Sequence, residues 1–282
     1  DSTFSNTSVG GRQLKVLICP LDWGIGHATR MVPVIRKFMD SGCKVVIAGS
    51  GRSLEYLKIE FPQTEFIVLE GKSIRYATGK WLIIKLMSEL PSILFHIFRE
   101  HTRLKKIVGD RKIDLVISDN RYGCWHPKIP SVFITHQLSV QLPDFLQPAE
   151  SFVRKVNYWF IHRYTKCWIP DFEPRMGLAG ALSHPEKMPR NATYIGILSR
   201  FSSMITPLHD AIPPSIDVLV LLSGPEPQRT SFEQLIIQQL NLLPLTSVLV
   251  RGTPGEGPET ESKGNLHIFS HLLGEQLLQL MI

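Results

Sequence analysis

Short apolar runs alternate with longer amphipathic ones along most of the chain, and this limits the choice of fold more than any other feature. The first such unit is Leu14–Pro20 (LKVLICP), then a glycine-bearing turn, then a helical pattern over His27–Ser41 that Gly42 ends. Strands are predicted over Lys44–Ala48, Glu65–Leu69, Asp114–Ser118, Ser131–Thr135, Cys167–Ile169 and Thr193–Ile195, with helices over Arg52–Glu60 and Ala149–Tyr164. Runs that are apolar along their whole length, joined by helices, imply crossover units and a mostly parallel sheet in an α/β protein. A second series starts with the strand Ile216–Leu222. It continues with the loop 223–228, a helix over Thr230–Leu240, strands over Ser247–Arg251 and Leu266–Phe269, and an amphipathic start at Leu272.

Two Rossmann-like domains follow from this order: a flexible polar tail over 1–13, a first domain over 14–198, a linker over 199–215 rich in Ser and Pro, and the start of a second domain over 216–282. Three strands and an unfinished helix make a poor independent domain, so the chain is expected to stop partway through the second one. The stretch 79–108 reads as two helices broken near Pro91, with Lys and Arg interleaved among Trp, Ile, Leu and Phe. That mixture is either core with solvated cations or a basic amphipathic face lying on a membrane.

The 282 residues are 43% hydrophobic and 20% charged, which excludes a disordered chain. A net charge of +6 suits phosphate-bearing ligands or an anionic membrane surface and is too small to indicate nucleic-acid binding. Cys19, Cys43, Cys124 and Cys167 are widely spaced, so buried free thiols in a cytoplasmic protein are expected and no metal site is read.

Chemistry concentrates in Pro20-Leu21-Asp22-Trp23-Gly24-Ile25-Gly26-His27-Ala28-Thr29-Arg30. Gly24 and Gly26 permit a sharp strand-to-helix turn and close approach of a ligand to the backbone. His27 is expected at the C-terminal end of the first strand, where open α/β sheets bind ligands. The dinucleotide fingerprint fails, because Thr29 stands where its third glycine belongs. His27 is either a helix-capping residue or a general base. After the next strand pair come Ser118-Asp119-Asn120-Arg121 and Thr135-His136-Gln137. These are turn formers or ligand contacts: Asp119 orienting His27 or binding an acceptor hydroxyl, Arg121 pairing with a phosphate on the acceptor side, Asn120 and His136 touching an acceptor. In the second series, Ser223-Gly224 and the helix start behind them are a candidate diphosphate cradle, with Arg229 and Arg251 nearby.

The segment Val16–Ile35 (VLICPLDWGIGHATRMVPVI) resembles the first unit of glycosyltransferase family 28 and its relatives, among them the lipid-linked N-acetylglucosaminyltransferase of peptidoglycan synthesis and the UDP-glycosyltransferases. The likeness is specific at Gly24–Arg30 and weaker at Asp114–Gln137 and Leu222–Arg229. As an ordering of elements it covers most of the chain. It implies the two-domain GT-B architecture, an acceptor held by the first domain and a UDP-type nucleotide sugar by the second. It also implies inverting transfer without metal or cofactor, with His27 as base. A lipid-linked acceptor and membrane contact through 79–108, at the inner face, would follow. A nucleotide-sugar hydrolase is the alternative, since hydrolases of the pseudaminic acid pathway carry the same Gly-x-Gly-His with an Arg three residues on. A non-catalytic sugar- or nucleotide-binding protein is the third reading.

Overall fold

The computed structural model describes residues 8–9, 12–71, 81–139, 147–174, 176–201, 215–224, 226–254, 256–257 and 259–281, with backbone alone for 8–9, 81–90 and 148–149. Two short strands, β1 (Ser8–Val9) and β2 (Arg12–Gln13), pair antiparallel in the segment expected to be a tail. Arg12 is held by Asp114, which also accepts the Lys15 backbone N–H at 2.8 Å. Then come β3 (Lys15–Cys19), α1 (Ile25–Asp40), β4 (Lys44–Gly49), α2 (Gly51–Glu60), β5 (Glu65–Val68), α3 (Trp81–Arg111), β6 (Leu115–Asp119), β7 (Ser131–Ile134), α4 (Gln147–Ile161), β8 (Lys166–Ile169) and β9 (Ala192–Tyr194). The seven strands from β3 to β9 form one parallel sheet in the order β5-β4-β3-β6-β7-β8-β9.

The near-continuous apolar character of β3 is explained by cover on both faces. Val16 and Ile18 pack with Ala28, Met31 and Ile35 of α1 and Leu57 of α2. Leu17 and Cys19 face the opposite way and pack with Leu104 and Val108 of α3. The helix expected to break near Pro91 is continuous through it. A proline removes one N–H and crowds one carbonyl. Buried Glu100, Leu104 and Val108 anchor the turns that follow it.

The second lobe contains β10 (Val218–Leu221), α5 (Gln228–Leu240), β11 (Ser247–Val250), β12 (Thr260–Lys263), β13 (Leu266–Phe269) and α6 (Gly274–Met281), with sheet order β10-β11-β13-β12. Its core also has two faces: Val248, Val250 and Phe269 against Leu272, Leu277 and Leu280, and Leu249 and Ile268 against Leu240. The antiparallel edge strand β12 was not expected from the sequence. Of the linker expected over 199–215, residues 202–214 lie outside the described residues. All four cysteines are free and buried, as expected.

The lobes meet through their glycine loops. A Cβ built on Gly24 would lie 3.5 Å from the Gly224 backbone nitrogen. Arg52 at the start of α2 bridges to the second lobe, pairing with Glu256 at 2.9 Å and Glu226 at 3.0 Å. Arg200 donates to the Tyr56 hydroxyl at 3.1 Å, and the Tyr56 ring meets His271 edge-on at 5.0 Å.

Candidate functional site

The strand order of the large sheet reverses beside β3: β4 and β5 extend from one side of it, β6 and the later strands from the other. A cleft opens at such a switch point, outside the carboxyl ends of the two strands. The loop after β3 carries Gly24, whose φ of 135° suits glycine alone. α1 begins at Ile25 rather than His27, so Gly26 and His27 lie in its first turn. Gly26 has an ordinary φ and nothing within 4 Å of its missing side chain, so the turn itself rests on Gly24.

One turn of α1 places His27 and Arg30 on the same face, and the end of β6 places Asp119 against both. His27 Nδ1 lies 2.9 Å from Asp119 Oδ2. Arg30 donates to Asp119 Oδ1, and its other terminal nitrogen lies 3.1 Å from His136 Nδ1, just past β7. Asp119 is fully buried, while the His27 side chain keeps 18% of its surface. Burial alone would raise the Asp119 carboxyl, but the Arg30 cation and the His27 hydrogen bond outweigh it and hold the carboxyl below the usual range. An ionised Asp119 accepts only, so the 2.9 Å contact calls for a proton on His27 Nδ1, and in the neutral imidazole Nε2 is then the lone pair.

A cavity of about 250 Å³ reaches Asn120 and Gln137, the chain neighbours of Asp119 and His136, and its wall includes the polar side chains of His96, Glu100 and Arg121. Leu21 and Trp23 of the β3 loop, Ile93 and Ile97 of α3, Tyr122 and Gln137 line it. Asn120 also reaches its wall, at a φ of 54°, and its Oδ1 accepts the Thr135 hydroxyl at 3.1 Å. Asn120 therefore fastens the loops after β6 and β7 together.

Arg121, expected to pair with a phosphate, is paired with a carboxylate of the protein itself. It is 2% exposed, its guanidinium pairs with Glu100 at 2.6 Å, and it donates to the carbonyls of Leu69 at 2.9 Å and Pro20 at 3.4 Å. Those partners come from three other parts of the chain, and Arg121 also lines the cavity beside Trp23 and Tyr122. It ties strand ends together beneath the cleft.

The second-lobe arginines are also committed elsewhere. Arg229 is buried between Glu226 at 2.7 Å and Glu233 at 2.6 Å. Arg251 pairs with Glu233 at 2.6 Å and Glu261 at 3.0 Å. α5 begins at Gln228, and the Glu226 carboxylate accepts the Thr230 backbone N–H at 3.2 Å. An acidic side chain therefore already occupies the helix end expected to cradle a diphosphate. Ser223 does face the cleft, lining a cavity of about 160 Å³ with Ile25, Gly26, Thr29 and Gly252. Gly224 meets Gly24 across the lobes. Sequence reading gave Arg30 no contact role, although its spacing from His27 was visible. It missed Arg52 and His271, whose partners are all distant in the chain. No cluster of metal-ligating side chains occurs among the described residues.

Asp171, just past the end of β8, is 1% exposed and accepts from Ser183 and from the backbone N–H groups of Phe172, Leu178 and Ala179. Although burial opposes it, these donors keep its carboxyl well below the ordinary range. Asp119 behaves alike. For a depressed carboxylate the stabilisation is present above the unfolded value of ~3.9 and is lost as pH falls through the folded one. The melting temperature is therefore expected to be steady near neutrality and to fall steeply below pH ~4. Thermal melts across that range check this, and an unchanged midpoint at pH ~3 would contradict it.

No protein-family model matches the chain, and no curated protein matches it. Solved structures do. Arabidopsis thaliana UGT89C1 in complex with quercetin aligns with TM-score 0.53 at 13% identity, covering 95% of this chain and 71% of that one. The calicheamicin glycosyltransferase CalG4 gives 0.52 at 13%, covering 90% and 69%. The spinosyn forosaminyltransferase SpnP gives 0.51 at 13%, covering 96% and 73%. Acinetobacter baumannii MurG is similar at TM-score 0.41 and 11% identity over 84% of this chain, which spans 57% of that chain's length. With a seven-stranded parallel sheet, a second β/α lobe and glycine loops meeting between them, the chain has the GT-B fold of glycosyltransferases.

Proposed function

We propose that the protein transfers a sugar from a nucleotide-activated donor to a hydroxyl group of an acceptor, with His27 as general base. The observation that carries this reading is the His27–Asp119 contact: an imidazole with its Nδ1 proton held by an ionised, fully buried carboxylate, at the switch point of the sheet. In this reading the acceptor enters the cavity beside Trp23 and Tyr122, and the donor lies against Ser223 and Gly224. His27 Nε2 takes the hydroxyl proton, the acceptor oxygen bonds to the anomeric carbon, and the carbon–oxygen bond to the nucleotide diphosphate breaks with its electron pair leaving on the diphosphate. Attack opposite the leaving group inverts the anomeric centre. His27 ends protonated, beside a carboxylate that stabilises the charge.

The acceptor side of the molecule also suits a lipid surface. Phe95 and Phe98 of α3 and Phe152 and Trp159 of α4 are exposed, with Arg99 and Lys105 among them. Exposed apolar side chains interleaved with cations favour an anionic interface. No described helix is long and apolar enough to cross a membrane.

The test is incubation of the protein with UDP-sugars, with and without an apolar alcohol acceptor. Release of UDP that depends on the acceptor, with formation of a glycoside, is expected. Equal release of free sugar without acceptor would overturn transfer in favour of hydrolysis, and no release with any nucleotide sugar would overturn both.

A further inference from the structure

The cluster around His27 contains a second imidazole whose chemistry is fixed by its partner. Arg30 can only donate, through a rigid planar fork. One arm of the fork reaches His136 Nδ1 at 3.1 Å, so that nitrogen is the acceptor and the proton of neutral His136 sits on Nε2. The other arm donates to Asp119 Oδ1 and also lies 2.9 Å from His27 Nδ1. Two donors and one acceptor meet there, and the carboxylate resolves the conflict. Asp119 takes the Arg30 proton on Oδ1 and the His27 Nδ1 proton on Oδ2. The two histidines therefore end with opposite proton placement. In the neutral form His27 exposes a lone pair at Nε2, and His136 carries an N–H there.

We propose that Arg30 is a positioning residue that fixes His27 and His136 in opposite tautomers, one a base and the other a hydrogen-bond donor. The mechanistic meaning of the pair rests on the transferase reading above; the proton placement does not. Burial and the adjacent Arg30 cation keep His136 below the ordinary imidazole range, which favours its neutral form. A neutral Nε2–H suits an oxygen of the acceptor or of the sugar. It cannot replace His27 as base without moving its own proton. Arg30 supplies both contacts at once, which a lysine ammonium, as a point charge, cannot do with the same planar geometry.

The experiment is nitrogen-15 NMR of the imidazoles in the full chain above pH ~8, where histidine is neutral. The His27 and His136 signals are picked out from those of the ten histidines by the variants His27→Gln and His136→Gln. The wild type is expected to show the protonated-nitrogen signature at Nδ1 of His27 and at Nε2 of His136. In Arg30→Met, His136 is expected to become a tautomer mixture while His27 keeps its pattern through Asp119. Arg30→Lys keeps the charge beside buried Asp119 and serves if the methionine variant does not fold; it too should lose the His136 bias. A proton on Nδ1 of His136 in the wild type overturns the proposal, as does an unchanged His136 in whichever variant folds. If the tautomers are as stated but His27→Ala transfers sugar normally, the transferase mechanism fails and the proton placement survives.

Discussion

Replacing His27 with alanine is expected to lower the turnover of sugar transfer by ~10²–10⁴-fold, the contribution of a positioned general base. The fold should survive. His27 is partly exposed in the first turn of α1, outside the core clusters, and its loss leaves Asp119 still neutralised by Arg30. The effect should therefore fall on turnover, with the KM for the nucleotide sugar close to wild type, since the donor is read as lying against Ser223 and Gly224 instead. Steady-state kinetics, with a thermal melt as control for folding, checks this. A variant within about tenfold of wild type with an unchanged melt would remove His27 from the chemistry. Asp119→Asn tests the same arrangement from the other side. An amide can turn its NH₂ toward His27 Nδ1 and reverse the tautomer, so turnover should fall while the imidazole remains in place.

How far the sequence disclosed this site depended on how local each interaction is. The β3 run with helices behind and after it announced a buried parallel strand, and Gly24 marked the turn because only a residue without Cβ adopts its φ easily. The convergence of His27 and Asp119 was readable because both follow strands that the α/β rule places side by side. The fates of Arg121 and Arg251 were not. Each reads as a cation at a strand end, and whether it meets a phosphate or a carboxylate depends on Glu100 and Glu261, which other elements bring in. Arg229 is a different case: Glu226 and Glu233 stand three residues before it and four after, so its capture was visible as helix spacing. Strand β12 reads TESK and shows no apolar alternation because it is a mostly exposed edge strand. Its signal was the Gly264-Asn265 pair before β13, a two-residue hairpin turn with Gly264 at φ 60°. Pro91 misled because a helix tolerates one lost hydrogen bond when its later turns are anchored.

Glu100→Leu is expected to destabilise the protein by ~3–5 kcal/mol, the usual cost of removing one partner of a buried ion pair. Arg121 is left 2% exposed and still charged, because guanidinium does not give up its proton. The Gly123 N–H, which donates to Glu100 Oε2 at 3.0 Å, loses its acceptor as well. Adding Arg121→Met should recover part of the loss, since the uncompensated charge disappears. Recovery should stop short of wild type, because the Leu69 and Pro20 carbonyls then lose their Arg121 donor at a cost of ~1–3 kcal/mol for each buried acceptor left unpaired. Urea denaturation of the two single variants and the double variant, with unchanged m-values, measures this directly. Full recovery in the double variant would mean that Arg121 contributes only charge, and a loss below ~1 kcal/mol in Glu100→Leu would mean that the pair is not closed off from water. The carbonyls in question lie just past β3 and β5, beneath the loop that carries Gly24. Weakening the clasp should therefore also loosen the turn that presents His27, and the double variant should transfer sugar more slowly than its recovered stability alone would suggest.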